Sequence, residues 1–374
     1  MAVKSVALVT CLELVERASM MPKVSERAAM VDELIQAYRI TQRLRVIEAK
    51  PATRQELTEF HSRDYVGLLE QAEAVEDEGD PDKMLEDFGL CYDCPIFEDM
   101  YKYVCWVTGA TLTAADCLLA GTNSVAINWT GGWHHAKRSR ASGYCYVNDI
   151  VLGILRLQEK FDRILYVDLD LHHGDGVQEA FYYSNKVMTL SFHLRCPGFF
   201  PGSGDADEVG ERAGRGYSVN VPLKSGVTDD QYYHIFLRVI AVVKDRFKAD
   251  AIVCQCGADC LVGDPISDGG AEGFNLSLKS ITKCVQHLMS WDVPLLVLGG
   301  GGYHLANTAR CWTYLTAVLV SMELPDEIPD HKFIDMYKPL FCLRISPHGT
   351  QPNKNEVASV NKTLQYIRVN AGIR

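Results

Sequence analysis

The segment YVDLDLHHGDG, residues 166–176, places residues that bind metals or transfer protons directly after an apolar run. Asp168, Asp170 and His172 alternate with leucines, so in an extended strand all three side chains would point to one side. A buried unpaired carboxylate is costly, and a divalent cation would compensate its charge. The spacing therefore predicts a metal site that uses Asp170 and His172. The alternative is that both aspartates cap loops and pair with basic side chains.

A third metal ligand would have to come from another part of the chain. Asp259, in the sequence CGAD after another apolar run, is the best candidate. Two carboxylates and one imidazole leave a coordination position open, as catalytic zinc sites do. A set so rich in carboxylates could also accept Fe²⁺.

The sequence GGWHHAK supplies two adjacent histidines, His134 and His135. Neighbouring residues of a strand face opposite ways, but the preceding glycines allow the backbone to turn both imidazoles inward. Near a metal, imidazoles can serve as general base and general acid, and each needs a carboxylate to fix its tautomer. Asp168 and Asp175 are the carboxylates left for this role. The alternative is that one histidine is an ordinary core residue.

The sequence LGGGGY, residues 298–303, predicts a flexible turn that ends in Tyr303. No Gly-Lys-Ser/Thr follows, which argues against a phosphate-binding loop. The hydroxyl of Tyr303 could donate a hydrogen bond to a developing oxyanion. The alternative is a tight turn whose tyrosine only packs in the core.

The sequence CPGFFPGSGD, residues 196–205, holds Phe199 and Phe200 in a loop rich in proline and glycine. Two such rings could form one wall of a narrow apolar channel, with Tyr144 opposite, although packing in the core is equally plausible. Together with the metal ligands, histidines and Tyr303, the channel indicates metal-assisted hydrolysis of an amide without a serine or cysteine nucleophile.

Short, β-branched apolar runs must position these residues. They are continuous rather than alternating, and amphipathic helical patterns such as 31–40, 229–247 and 307–322 lie between many of them. This order predicts an α/β fold with a parallel sheet covered by helices on both faces. Ligands of such sheets bind beyond the carboxyl ends of the strands, where four of the runs finish in the motifs above. The predicted strands are 5–9, 124–129, 163–171, 186–192, 250–257 and 294–300.

Composition narrows the class of protein. The 374 residues carry a formal charge of −11 without a dense Lys/Arg cluster, so we expect no direct binding to DNA. We expect no membrane association either, because no apolar segment reaches about 18 residues without a charge. The acidic stretch 73–87 is interpreted as a solvated loop, with a docking rim for a basic polypeptide as the alternative. No repeat or linker divides the chain, which predicts one domain over residues 1–374.

The 13 cysteines also restrict the environment. The count is odd and several lie in apolar runs, which indicates free thiols in a reducing compartment, the nucleus or the cytoplasm. Cys91 and Cys94 have C-x-x-C spacing. No second pair or nearby histidine completes a zinc site, so two ordinary thiols are predicted.

These motifs together resemble those of the class I zinc-dependent histone deacetylases. The resemblance extends from about Ser5 to the C-terminus, and Trp133 and the sequence YDCP at 92–95 indicate one particular subtype. It implies an arginase-like fold, a single domain with a central eight-stranded parallel sheet flanked by helices. It also implies zinc bound by Asp170, His172 and Asp259, and hydrolysis of acetyl-lysine in histones and other proteins.

The resemblance implies further roles. His135 would be general base and acid, paired with Asp175; His134, paired with Asp168, would be its electrostatic partner; Tyr303 would polarise the acetyl carbonyl. Asp93 would hold the substrate backbone, and Gly143, Tyr144 and Phe200 would line the acetyl-lysine tunnel. One potassium ion would use Asp168, Asp170, His172, Ser191 and Phe192, and a second would use Phe181, Ser184, Val187 and Tyr217. A corepressor complex is possible but not required.

Four positions depart from the family pattern. Residue 144 is usually Phe, so Tyr144 leaves the preference for acyl chains open. Ile266 replaces a usual Met at the rim, and Arg140 stands where many relatives have an acidic residue. The loop 269–277 has an unfamiliar length. Two other functions remain open: an amidohydrolase for small acetylated polyamines, and a catalytically silent module that binds acetyl-lysine.

Overall fold

Eight parallel strands form one continuous sheet. This computed structural model describes residues 5–75, 82–268, 272–346 and 351–370. The order across the sheet is β2-β1-β3-β8-β7-β4-β5-β6, and all neighbouring strands are parallel. The predicted α/β fold with a central eight-stranded parallel sheet is therefore confirmed. The strands are β1 (Val6–Val9), β2 (Arg45–Ile47), β3 (Val125–Asn128), β4 (Ile164–Asp168), β5 (Val187–Leu194), β6 (Ser218–Leu223), β7 (Ala251–Gln255) and β8 (Leu295–Leu298).

The two edge strands lie outside the six apolar runs. β2 has only three residues, and Arg45 and Val46 are exposed. β6 has the sequence SVNVPL, in which Pro222 offers no backbone N–H. A strand with one neighbour tolerates this loss, because one of its edges forms no ladder. Edge strands thus lack the continuous apolar signal of strands buried on both faces.

Helices cover both faces of the sheet, as predicted. The amphipathic patterns at 31–40, 229–247 and 307–322 correspond to α2, α9 and α12. The helices are α1 (Leu12–Ser19), α2 (Arg27–Ala37), α3 (Arg54–Leu57), α4 (Arg63–Val75), α5 (Asp82–Asp87), α6 (Met100–Leu119), α7 (Asp149–Leu157), α8 (Asp175–Phe181), α9 (Asp229–Phe247), α10 (Pro265–Asp268), α11 (Leu278–Met289), α12 (Leu305–Leu319) and α13 (Val357–Asn370).

Alternate residues of each central strand enter different hydrophobic layers. Leu165 and Val167 of β4 pack with α2, α9, α11 and α12. Ile164 and Tyr166 pack on the opposite face with α1, α4, α6 and α7. Full burial of an aliphatic side chain is worth about 1.5–3 kcal/mol, so both layers hold the central strands firmly. The site residues are built on this rigid centre.

The four strands that end in chemical motifs are neighbours. β3, β8, β7 and β4 occupy the middle of the sheet in that order. Because parallel strands finish at the same edge, the motifs that follow them meet there. The sequence-based prediction of one rim shared by four strand ends agrees with this topology.

β4 is shorter than the predicted strand 163–171. It ends at Asp168. Beyond it, the backbone N–H groups of Asp170 and His172 donate to aspartate side chains and not to the carbonyl oxygens of a neighbouring strand. The N–H of Asp170 donates to Oδ1 of Asp168 (3.1 Å), and that of His172 donates to Oδ1 of Asp170 (3.0 Å). Such aspartate turns compete with strand pairing. Asp170 and His172 therefore lie beyond the strand rather than on one face of it.

The acidic stretch 73–87 is not a loop throughout. α4 continues to Val75 and α5 spans Asp82–Asp87, while residues 76–81 lie outside the described part. Residues 269–271 of the rim loop 269–277 also lie outside it. Within the described ranges, no helix has both the length and the apolar character needed to cross a bilayer.

Candidate active site

Asp149 anchors the loop that carries the paired histidines. This buried carboxylate, in the first turn of α7, accepts hydrogen bonds from the N–H groups of Gly132 (3.0 Å) and Trp133 (2.9 Å). The hydroxyl of Thr111 donates to it as well (2.6 Å). Gly132 has a φ of +97°, and a Cβ there would lie 2.4 Å from the carbonyl oxygen of Gly299. Glycine is therefore required where the loops after β3 and β8 cross.

The two histidines pair with different carboxylates. Nδ1 of His134 lies 2.8 Å from Oδ2 of Asp168, and Nδ1 of His135 lies 2.7 Å from Oδ1 of Asp175. The two imidazole rings are 4.0 Å apart. Both histidines turn inward, as the glycines before them allow. The pairing left open by the sequence motifs is the one that the family resemblance implies.

The surroundings drive the two imidazole pKa values apart. Burial alone would lower the pKa of His134, but the carboxylates of Asp168 and Asp170 outweigh burial and raise it to about 9. Burial lowers the pKa of His135 to about 4, and the charge of His134 adds to this effect. Asp175 offsets only part of it. At neutral pH, His134 is therefore cationic and His135 is a neutral base.

Three buried side chains converge at the ends of β4 and β7. The ligand atoms of Asp170, His172 and Asp259 all lie within 4.8 Å of one another. Burial and the charge of Asp170 raise the pKa of Asp259 to about 7. Two carboxylates this close need a positive charge between them, which a divalent cation supplies. Two oxygens and one nitrogen suit zinc, so the residues fit the predicted metal.

Backbone and side-chain donors fix these ligands. Nε2 of Gln255 donates to Oδ2 of Asp170 (2.7 Å), as does the N–H of Gly301 (2.9 Å). The N–H of Leu171 donates to Oδ1 of Asp259 (3.0 Å). Both carboxylate ligands are thus held by donors that orient them, which is typical of functional metal sites.

Tyr303 follows the glycine turn and lies at the same rim. Its N–H donates to Oδ2 of Asp264 (2.7 Å), and Arg27 donates to the carbonyl oxygen of Gly302 (2.9 Å). Burial and the charge of Asp259 hold the pKa of the phenol well above its usual value. The hydroxyl therefore keeps its proton and can donate a hydrogen bond.

Aromatic side chains surround the approach to the three ligands. The ring of Phe199 stacks on His172 at 5.1 Å, and Phe200 meets His135 edge to face at 4.8 Å. The ring of Tyr144 meets that of Tyr303 at 5.5 Å. A Cβ on Gly143 would lie 2.8 Å from the Phe200 ring, so glycine leaves that space open.

Asp93 lies on the surface near this aromatic wall. It is exposed in the turn between Cys91 and Cys94, and the thiol of Cys94 contacts the carbonyl oxygen of Cys145 (3.9 Å). All 13 cysteines are free, as predicted. Ile266, the other rim position noted in the sequence, is half-buried.

Part of the first predicted potassium set lies where β4 ends beside β5. Asp168 is in register with Ser191, and Phe192 follows it on β5. The second set, at the opposite ends of these strands, comprises Phe181, Ser184, Val187 and Tyr217.

Several residues that support the site were missed by motif analysis. The hydroxyl of Tyr166 donates a hydrogen bond to Oδ2 of Asp168 (2.6 Å). Nζ of Lys137 lies 2.7 Å from Oδ2 of Asp175. Gln255 interrupts the apolar run 250–257. A polar residue in a buried strand is unusual, so this position could have been predicted to support the site. Asp149 and Asp264 lie beside helix starts, where an aspartate usually indicates only a cap.

Comparison with known proteins decides the family. A sequence model of the histone deacetylase domain matches residues 21–319. The chain belongs to the histone deacetylase family. Histone deacetylase 8 of Xenopus tropicalis is 50% identical over 346 residues, which is 92% of each chain. Histone deacetylase 8 of Danio rerio is 47% identical over 367 residues, 98% of this chain and 95% of that one.

The subtype indicated by Trp133 and the sequence YDCP is histone deacetylase 8. The matches to histone deacetylase 8 of two species confirm this resemblance. A more distant relative, histone deacetylase 9 of Arabidopsis thaliana, is 43% identical over 354 residues, 93% of this chain and 82% of that one. The predicted enzyme class, a hydrolase of the histone deacetylase type, is confirmed at the level of the family. The family depends on zinc, and the buried Asp–His–Asp set fits that metal.

Proposed function

We propose that the protein is a zinc-dependent lysine deacetylase that hydrolyses N-ε-acetyl-lysine in histones and other proteins to lysine and acetate. The main support for this proposal is that three buried ligand atoms, from Asp170, His172 and Asp259, lie within 4.8 Å of one another. His135 and Tyr303 lie at the same rim. When bound, zinc supplies Lewis acidity toward an amide carbonyl and toward water.

His135 is the proposed general base and then the general acid. Its lowered pKa keeps it neutral at physiological pH, and Asp175, 2.7 Å away, accepts a hydrogen bond from its Nδ1–H group. Nε2 is then free to take a proton from the attacking water and return it to the leaving amine. Asp175 fixes the tautomer that this exchange requires.

His134 and Tyr303 have electrostatic roles in the proposal. With a pKa raised to about 9, His134 stays cationic beside Asp168 and stabilises negative charge that develops nearby. The protonated phenol of Tyr303 donates a hydrogen bond to the oxyanion formed from the acetyl carbonyl.

The substrate side chain would enter between the aromatic rings. Gly143, Tyr144 and Phe200 line the proposed tunnel, because their side chains and backbone surround the approach to His135. Asp93, exposed beside this wall, would hold the substrate backbone. The phenol of Tyr144 makes the tunnel more polar than a phenylalanine would, so short acyl groups are expected.

Further parts of the proposal extend the family resemblance. Fe²⁺ is an alternative to zinc in the cell, since the ligand set is rich in carboxylates. Potassium would bind at the two residue sets described above. The whole chain, 1–374, would form one catalytic domain, active in the nucleus and cytoplasm on acetylated histone tails and other proteins in transcription control. A corepressor is not required, and no direct contact with DNA is expected.

Two alternatives come from other substrate or functional classes. An acetylated polyamine could use the same metal chemistry, but the exposed Asp93 favours a peptide backbone. A silent acetyl-lysine reader would not need His135, Asp175 and Tyr303 in addition to the metal ligands.

The test is deacetylation of an acetyl-lysine peptide by the purified protein, with a chelator and then with zinc restored. We expect turnover that the chelator abolishes and zinc recovers. Tyr303→Phe controls for contaminating activity: it keeps all three metal ligands but should lose about 10²–10³-fold in rate. No turnover with one zinc bound per chain would contradict the proposal and favour a reader or another amide.

A further inference from the structure

Lys23 places an exposed ammonium beside both tyrosines of the candidate tunnel. Its Nζ lies 4.8 Å from the centre of the Tyr144 ring and 5.5 Å from that of the Tyr303 ring. The two rings contact each other. This cation therefore lies at the tyrosine side of the tunnel opening.

The backbone of Lys23 is fixed although its side chain is exposed. The residue lies in a 3₁₀ turn, Pro22–Val24, between the buried side chains of Met21 and Val24. The helix that follows contributes Arg27, which binds the backbone of the Tyr303 turn. The ammonium is thus presented at the opening by a segment packed against the site itself.

The charge of Lys23 is not compensated locally. Among the residues that the structure describes, no carboxylate forms a salt bridge with it, and its ring partners are Tyr144 and Tyr303. Arg140, also exposed, lies in the 137–140 hairpin next to the segment that leads to Asp93. Beside the two tunnel tyrosines, Lys23 thus supplies a positive charge that no described carboxylate pairs, in a chain whose net charge is −11.

We infer that Lys23 is a specificity-determining residue that favours acetyl-lysines with acidic neighbours over those with basic neighbours. The inference rests on the proposed lysine deacetylase function. The acetyl-lysine side chain is neutral, so its burial in the tunnel does not depend on charge. The side chains next to it in the substrate stay outside, where the ammonium attracts carboxylates and repels cations.

The experiment uses three acetyl-lysine peptides that differ only in the two residues flanking the modified lysine: Glu, Gln or Lys. We expect kcat/KM in low salt to follow the order Glu, Gln, Lys. Lys23→Gln should lower the Glu-to-Lys ratio by roughly two- to five-fold, the range of one exposed charge pair. Lys23→Glu should lower it further. The preference should shrink at about 1 M salt, where the Debye length is about 3 Å.

Lys160→Gln is the matched control. Lys160 is another exposed lysine over an aromatic ring, Phe161 at 5.6 Å, but it precedes β4 and lies at the opposite edge of the sheet. Its loss should leave the ratio unchanged. An equal ratio in wild type and Lys23→Gln would overturn the inference even if all peptides are hydrolysed. Failure of wild type to hydrolyse the Gln peptide would instead overturn the deacetylase function on which the inference rests.

Discussion

Two adjacent histidines that are both buried differ in charge at neutral pH, one a cation and the other neutral. The carboxylates of Asp168, Asp170 and Asp175 raise the pKa of His134, whereas only that of Asp175 raises the pKa of His135. Lys137 lies 2.7 Å from Asp175 and partly neutralises it. Charge on the first histidine further disfavours charge on the second. One cation and one neutral base thus arise from identical residue types through their neighbours alone.

Asp175→Asn tests this division at the residue scale. Asp175 raises the pKa of His135, so its removal lowers that pKa further. Because a base with a lower pKa stays unprotonated in more acidic solution, we expect the acid limb of kcat/KM to move to lower pH. The plateau should fall, since the weaker base also loses its orienting partner.

The pH profile of Asp175→Asn should be measured beside that of Asp162→Asn. Asp162 forms an ion pair with Lys186 (3.6 Å) at the opposite edge of the sheet. Its substitution should therefore leave both limbs of the pH profile in place. An acid limb of Asp175→Asn that coincides with that of wild type would show that another group controls it.

At the scale of elements, sequence patterns predicted the central strands but not the edge strands. β3, β4, β7 and β8 are buried on both faces, and their sequences are therefore continuous apolar runs. β2, with two exposed residues, has no such signal. The partner of each histidine depends on where the loops after β3 and β4 meet, which is a tertiary contact that spacing alone does not determine.

Supporting residues were harder to predict than the ligands. Asp170 and His172 belong to one short motif, whereas Gln255 reaches Asp170 from a different strand. Asp149 reaches the histidine loop from the start of a helix. Such residues resemble ordinary polar positions until the fold brings their partners together.

Asp149→Asn tests how far one helix start positions the histidines. An amide in this place has one acceptor oxygen instead of two for three donors, the N–H groups of Gly132 and Trp133 and the hydroxyl of Thr111, so at least one donor loses its partner. A buried unsatisfied donor costs about 1–3 kcal/mol. We expect a lower free energy of unfolding in denaturant titration, together with a reduced kcat at unchanged zinc content.

Asp64→Asn is the control for that substitution. Asp64 also lies in the first turn of a helix, α4, but it is exposed. Its effect on stability should be small and its effect on kcat nil. Wild-type kcat in Asp149→Asn would mean that the histidine loop keeps its position without this carboxylate.

At the scale of the whole molecule, the metal site joins elements that are far apart in sequence. Asp170 and His172 follow β4, Asp259 follows β7, and the turn after β8 donates to Asp170. The site lies where the two hydrophobic layers meet the rim of the sheet. Binding a cation there favours the folded chain over the unfolded one, in which these residues are separated.

Zinc should therefore stabilise the entire protein. At a free concentration about 100 times the dissociation constant, one site adds about 2.7 kcal/mol to the free energy of unfolding. We expect the thermal midpoint of metal-free wild type to rise steadily with free zinc. Asp259→Ala should lose this dependence, because the fold then supplies only two ligands. Asp250→Ala, which removes the partner of Arg163 at the other end of β7, should keep it. A zinc-dependent rise of equal size in Asp259→Ala would mean that the stabilising ion binds elsewhere in the chain.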